Sequence, residues 1–410
     1  MRILFVVQRY GADALGGAER HCRDFATLLA ARGHQVEVAT SCANSYVDWA
    51  DALEPGSSTD EGVLVHRFRV RAPRQDRFFA PLHHRVIGSP VTVAHVVERE
   101  WMRILGPDLP ELPEWLRARS EDFDVAVFFT YLYATTFDGL EALTGLTPCV
   151  LHPLAHDEAA LRLGIFDQMM HAADAFGFNT EEEQALVDRR FGVHRRSIVI
   201  GIGIGTAERD ATAHDVAGFR KRFGLGDRPY LLYVGRIDPG KGSTELADMF
   251  AARARRRGDD VALVALGDPV TQLPRESGVV MTGAVDEATK EAAMAGCLAL
   301  VQPSYFESLS MVLLEAWAHR RPALVQGRCE VLVGQARRSG GAIPYTGFAE
   351  FEAAVDLLVS SPELASELGA AGRAYVEQRY AWDDVLSRYE RFLEDVAATW
   401  RVSLQGERVG

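Results

Sequence analysis

The chain has 410 residues, 48% apolar and 25% charged, with 57 acidic against 44 basic side chains and a formal net charge of −13. This composition excludes disorder, collagen and a small disulfide scaffold, and the length predicts two or three domains, each able to bury a core. Residues 1–200 hold 20 basic against 28 acidic side chains, leaving 24 against 29 for the remainder. Neither half is basic, so no nucleic-acid partner is expected.

Only three of the basic residues are lysines, Lys221, Lys241 and Lys290. In a chain that otherwise uses Arg, each lysine is a candidate for a specific role; a genomic bias in composition is the alternative reading. The five cysteines (Cys22, Cys42, Cys149, Cys297 and Cys329) are odd in number and scattered, with no CxxC pair. They read as buried thiols in a reducing cytosol, and no metal site is expected. The apolar run at residues 3–7 is too short for a secretory signal, and no run approaches the roughly 18 apolar residues of a membrane span. The expected location is cytoplasmic.

The first 40 residues read as strand (3–7), glycine-bearing loop (GADALGGAER), amphipathic helix to Ala31 and second strand (HQVEVAT). Such a βαβ unit demands a parallel sheet. Further apolar runs at 63–70, 124–129, 148–152, 175–178 and 197–200 extend it into a doubly wound domain. The polar, glycine-rich GIGIGTAERDATAHD reads as a linker. The cycle then restarts with PYLLYVG, a helix over 244–257, VALVALG, VVMTG, a helix over 287–295 and CLALVQP. From Pro362 onward the chain reads as helix, frayed at its end. The expected division is 1–203, 204–385 and 386–410, the last a helix and tail.

Two constellations carry chemistry. In SYFESLSMVLLEAWA, residues 304–318, Leu309, Val312, Leu313, Ala316 and Trp317 mark one buried face of a helix expected to begin near Ser308. Glu307 then precedes the helix and Glu315 lies about two turns in, roughly 12 Å away. That separation suits two ends of one extended ligand, with a phosphate-binding helix amino terminus between them. The alternative is a capped helix with a surface glutamate. In LLYVGRIDPGKG, residues 231–242, a strand ends in Gly235 and presents Arg236 and Lys241, placed to neutralise a diphosphate. An ordinary solvated loop is the alternative there.

YVGRIDPGKG followed by PSYFESLSMVLLEAWA, with two glutamates bracketing seven residues, resembles the retaining, nucleotide-sugar-dependent glycosyltransferases of family 4. The likeness runs over nearly the whole chain, and the ordered pair of motifs is more specific than either alone. The resemblance implies an α/β GT-B fold: two Rossmann-like, doubly wound domains facing a central cleft, with a carboxyl-terminal helix crossing back to the first. It implies an acceptor-binding first domain, a donor-binding second domain, and sugar transfer from a nucleoside diphosphate sugar to an acceptor hydroxyl. Transfer would be retaining, by front-face attack, with no metal and no cofactor beyond that co-substrate.

By the same resemblance, Arg236 and Lys241 hold the donor diphosphate, Glu307 contacts the donor sugar and Glu315 the ribose. Leu309, Ser310, Met311 and Val312 supply backbone contacts, and Gly16 and Gly17 form a loop closing over the donor. Ser308, Leu309 and Ser310 depart from the glycine-rich wording frequent in the family. His156, in HPLAHDEAA, resembles the active-site histidine, with His152 a competing candidate. A related sugar-nucleotide epimerase and a non-catalytic sugar-nucleotide-binding subunit are the alternative functions.

Other features read differently. Asn179 and Thr180 before Glu181, Glu182 and Glu183 read as a helix cap. GIGIG at 201–205 is a weak echo of a dinucleotide fingerprint. Asp122 and Asp124 have DxD spacing but precede their strand, at a helix-to-strand junction. Arg67, Arg69, Arg71, Arg74, Arg77 and Arg85, with His66, His83 and His84, read first as a half-exposed strand and solvated surface. An anionic acceptor or peripheral contact with an anionic membrane is the other reading of that stretch.

Overall fold

The computed structural model describes residues 1–14, 16–205, 211–258, 260–271, 273 and 278–409, with side chains as far as residue 402. The chain divides into two compact units, Met1–Gly201 with Leu386–Gly410, and Ile202–Val385.

The first unit is built on an eight-stranded sheet. Its strands are β1 (Arg2–Val6), β2 (Gln35–Ser41), β3 (Gly56–Asp60), β4 (Val63–Phe68), β5 (Val125–Phe129), β6 (Cys149–His152), β7 (Ala175–Phe178) and β8 (Arg196–Val199). The order is β3-β4-β2-β1-β5-β6-β7-β8. The central strands are near-continuous apolar runs because helices cover both faces; all five residues of β5 are buried. Helix α1 (Gly17–Ala31) turns Cys22, Phe25, Ala26 and Leu29 into the core at the i, i+3, i+4, i+7 spacing. The sheet departs from the expected parallel pattern at one edge, where β3 pairs antiparallel with β4. Its sequence, GSSTD, has no apolar face and is held by the ladder to β4.

The second unit repeats the plan. Strands β9 (Tyr230–Val234), β10 (Ala262–Leu266), β11 (Val279–Gly283), β12 (Ala299–Gln302), β13 (Ala323–Gln326) and β14 (Ala342–Tyr345) form a sheet in the order β11-β10-β9-β12-β13-β14. All its pairings are parallel. The order reverses between β9 and β12, and ligands of such sheets sit outside the carboxyl ends of the strands at that reversal.

The last helix, α15 (Trp382–Val409), starts in the second unit and from Leu386 belongs to the first. Tyr389 is fully buried there, its hydroxyl 2.7 Å from His152 Nε2 and its ring edge-on to Phe25. Glu390 takes Arg32 and His34 at 2.9 and 3.0 Å, and Arg401 pairs with Asp124 at 2.7 Å. Asp124 also binds the backbone N–H and guanidinium of Arg2. It stands just before β5, a structural clasp at the junction expected for the DxD pair.

Candidate functional site

In the second unit the site grows from the loops after β9 and β12, adjacent strands in the sheet. Asp238 Oδ1 accepts from Gly240 N at 2.8 Å and turns the loop after β9 into the short 3-10 segment Pro239–Lys241. Gly242 follows with φ 74°, and a Cβ there would lie 2.4 Å from Pro303 O. Only glycine lets this loop touch the backbone after β12. The approach sets Lys241 Nζ 3.0 Å from Glu307 Oε1, across 66 residues of sequence. Glu307 is the more buried partner, with 12% of its side chain exposed against 39% for Lys241.

Gln302, the last residue of β12, joins this pair to a helix terminus. Its Nε2 donates to Glu307 Oε1 at 3.3 Å and to Ser310 Oγ at 2.8 Å. Ser310 caps α11 (Met311–Ala318) with φ 72° and ψ 83°, a left-handed conformation. Glycine adopts that conformation freely, whereas a serine there carries a steric cost. The preceding Leu309 carbonyl is held by Gln335 Nε2 at 2.6 Å. Beyond the cap, Leu313 N donates to the Ser310 carbonyl at 3.2 Å, and the amino terminus of α11 forms a partial positive end.

The helix therefore begins at Met311, not near Ser308. Leu309 is buried as expected but precedes the helix, and the eight-residue spacing from Glu307 to Glu315 is helical only over its second half. The left-handed turn at Ser310 breaks the helical geometry from which the ~12 Å separation follows.

Arg236 lies on the same loop as Lys241, its guanidinium 3.9 Å from Asp238 Oδ2. Tyr233 OH donates to the Arg236 carbonyl at 2.6 Å. Burial, with the carboxylates of Glu307 and Asp238 nearby, pushes the Tyr233 phenol up, so it stays a donor. Glu315, on α11, is engaged by Lys290 of α10 (Glu287–Gly296), 3.0 Å from both carboxylate oxygens. The structure thus brings Lys241, Glu307, Gln302 and Ser310 into one hydrogen-bonded chain, with Arg236 on the shared loop and Glu315 further along the same helix.

In the first unit Gly16 caps α1 and Gly17 opens it, and a Cβ on Gly16 would fall 1.9 Å from Glu19 Oε2. Glu19 folds back there to meet Arg9 at 2.6 Å, both side chains under 10% exposed. Leu15, within the same glycine loop, lies outside the described residues.

The His156 loop leaves β6 through Leu154, which has φ 53°. Its backbone is tied down by Glu183, from the first turn of α7 (Glu181–Phe191). Glu183 Oε1 accepts from Ala155 N at 2.8 Å and Oε2 from Asn179 N at 2.6 Å. Thr180 caps α7 by accepting from Glu183 N, as the sequence suggests. Burial pushes the Glu183 carboxyl up to about 8 despite these backbone donors. His156 Nδ1 lies 3.3 Å from Glu158 Oε1, which also accepts from Tyr131 OH at 2.6 Å. His152 is no rival to it: fully buried, stacked on Phe129 and bonded to Tyr389, it belongs to the core.

The arginine stretch is engaged by its own fold. Arg67 reaches Ser58 and the Tyr10 carbonyl, Arg71 pairs with Asp108, and Arg74 donates to the carbonyls of Tyr46, Val47 and Leu105. The GIGIG segment follows β8 and lies ahead of residues outside the described set; the next helix, α8 (Ala213–Arg222), has its own Thr212 cap. Among the described residues no three His, Cys, Asp or Glu side chains are grouped to hold a metal ion. Likewise, no described helix is long and apolar enough to cross a membrane.

The sequence alone does not single out Gln302, Arg9 or the anchoring role of Glu183, and it gives no partner for Lys290. Gln302 carries a signal, a polar residue closing an otherwise apolar strand, and Lys290 had its rarity. Glu183 and Arg9 show none: Arg9 meets Glu19 ten residues on and Glu183 reaches back 28 residues to Ala155, spacings that no helical or strand period marks.

The description "Glycosyl transferases group 1" matches residues 228–360, which contain both second-unit loops. Over 411 residues the chain is 26% identical to glycogen synthase of Mycobacterium tuberculosis, covering 94% of this chain and 92% of that one. Residues 228–360 thus carry a glycosyl transferases group 1 domain. The chain is also 26% identical over 427 residues to D-inositol 3-phosphate glycosyltransferase of Kineococcus radiotolerans, covering 95% and 93% of the two chains. Among solved structures, Anabaena Alr3699/HepE in complex with UDP is similar with a TM-score of 0.69 at 15% identity, covering 96% of this chain and all of that one. The fold is GT-B.

Proposed function

We propose that this protein is a glycosyltransferase that moves a sugar from a nucleoside diphosphate sugar to an acceptor hydroxyl, with retention of anomeric configuration and without a metal ion. The observation that carries the reading is the Lys241–Glu307 pair, linked through Gln302 to the amino-terminal cap of α11 at the reversal of the second sheet. Two cations and a helix amino terminus suit a diphosphate whose charge grows as the sugar departs, and so replace a divalent ion.

In this scheme Arg236 and Lys241 stabilise the leaving diphosphate, with the backbone from Leu309 to Val312 as further donors. Glu307, held by Lys241 and Gln302, meets the donor sugar, and Glu315 meets the ribose. The first domain of the proposed division, residues 1–203, binds the acceptor and contributes His156, while Gly16 and Gly17 border the donor. The leaving phosphate helps take the acceptor proton as the new bond forms on the same face of the sugar. Residues 204–385 bind the donor, and the final helix, 386–410, returns to the acceptor unit. The similar HepE structure is a complex with UDP, which makes uridine nucleotides the first donors to try.

The two relatives named above are a synthase and a transferase, so an epimerase or a non-catalytic subunit is not favoured. The test is turnover of UDP, GDP, ADP and TDP sugars with a panel of acceptors, in chelator, with product configuration read by NMR. Arg236→Ala and Lys241→Ala are each expected to lower kcat by at least about a hundredfold, the scale of losing one preorganised charge contact. Near-normal turnover in both variants, an inverted product or an absolute need for a divalent ion would overturn the corresponding part.

A further inference from the structure

The chain uses lysine three times, and two of the three sit on the two bracketing glutamates: Lys241 on Glu307 and Lys290 on Glu315. We propose that Lys290 is a positioning residue for the nucleotide ribose, fixing the Glu315 carboxylate in the orientation that receives the sugar hydroxyls. The proposal rests on the reading of Glu315 as the ribose contact.

Helices α10 and α11 flank β12 in sequence, and Lys290 reaches from one to the other. Its Nζ lies 3.0 Å from each oxygen of Glu315 and 2.9 Å from Glu287 Oε1. Only 14% of the Lys290 side chain and 11% of the Glu315 side chain are exposed, against 45% for Glu287. The inner pair is therefore the shielded one, and Glu287 tethers the ammonium from outside. A carboxylate so placed is steadied by a cation that bonds both of its oxygens. A compact ammonium can straddle both oxygens, and a carboxylate, an acceptor at both oxygens, suits the vicinal hydroxyls of a ribose. Glu315 bonded in this way receives hydroxyl protons and favours a ribose over a deoxyribose.

The experiment compares binding of UDP, GDP and ADP with that of their 2′,3′-dideoxy counterparts by calorimetry, using the nucleotide that binds tightest. The proteins are the wild type, Glu315→Ala, Lys290→Met, Lys290→Gln and Lys290→Arg, each checked for an unchanged circular dichroism spectrum. The wild type is expected to prefer the ribonucleotide by roughly tenfold, the scale of a hydrogen bond to a charged group. Glu315→Ala should lose the preference, Lys290→Met and Lys290→Gln should lose most of it, and Lys290→Arg should keep part. A wild type indifferent to the hydroxyls, or a Glu315→Ala protein that still discriminates, overturns the ribose reading of Glu315 and the proposal with it. If Glu315→Ala is indifferent while Lys290→Met and Lys290→Gln discriminate like the wild type, the proposal alone falls. If Lys290→Met fails to fold, Lys290→Gln and Lys290→Arg decide the matter by the same comparison.

Discussion

Replacing Glu183 by Gln should flatten the pH dependence of stability. The folded carboxyl titrates at about 8 against an ordinary value of 4.5, because it is fully buried. Between those values the folded chain keeps a proton that the unfolded chain has released. Stability from this group is thus fully present below the unfolded value and is lost as pH rises through the folded one. The slope is at most ~1.4 kcal/mol per pH unit, which over the whole interval gives a ceiling of ~5 kcal/mol. Glutamine carries no such proton but offers one acceptor oxygen where the carboxyl now serves both Ala155 N and Asn179 N. One backbone donor then loses its partner, at a cost of about 1–3 kcal/mol. Urea unfolding of the two proteins followed by circular dichroism from pH 5 to 8.5 should show the wild type declining more steeply, with the largest gap at the acid end. Other titrating groups are common to both proteins and cancel in the difference. Parallel curves would refute the assignment of a buried, protonated Glu183.

Gly242→Ala should lower stability by ~1–3 kcal/mol through its left-handed backbone, and nucleotide binding should suffer more because the new Cβ would force the loop away from Pro303. A thermal-shift titration with UDP and GDP checks both effects, and wild-type affinity would count against the loop contact. Tyr389→Phe removes the hydroxyl 2.7 Å from the fully buried His152 Nε2 and should cost about 1–3 kcal/mol in urea unfolding, with donor binding unchanged.

Much of the architecture was readable because parallel strands covered on both faces appear as bare apolar runs. GSSTD, the edge strand β3, has no such pattern and exists through its partner. The helix of the second motif was legible from Leu313 to Trp317, but its start was not, since a serine in left-handed backbone leaves no mark in the hydrophobic period. Lys241 and Glu307 were both legible as candidates, whereas their contact required the neighbouring positions of β9 and β12. Choosing between His152 and His156 likewise required the fold, because only burial under α15 separates a core histidine from one four residues later on an anchored loop.

The scarcity of lysine also governs how the protein meets amine-directed chemistry. Apart from the terminal amine, an acylating reagent finds three side chains, and they differ in access. Lys221 is exposed on α8, Lys241 is partly open beside Glu307, and Lys290 is largely enclosed between two carboxylates. The composition has in effect reduced a surface label to a reporter on one loop, with an outlying lysine as its internal reference.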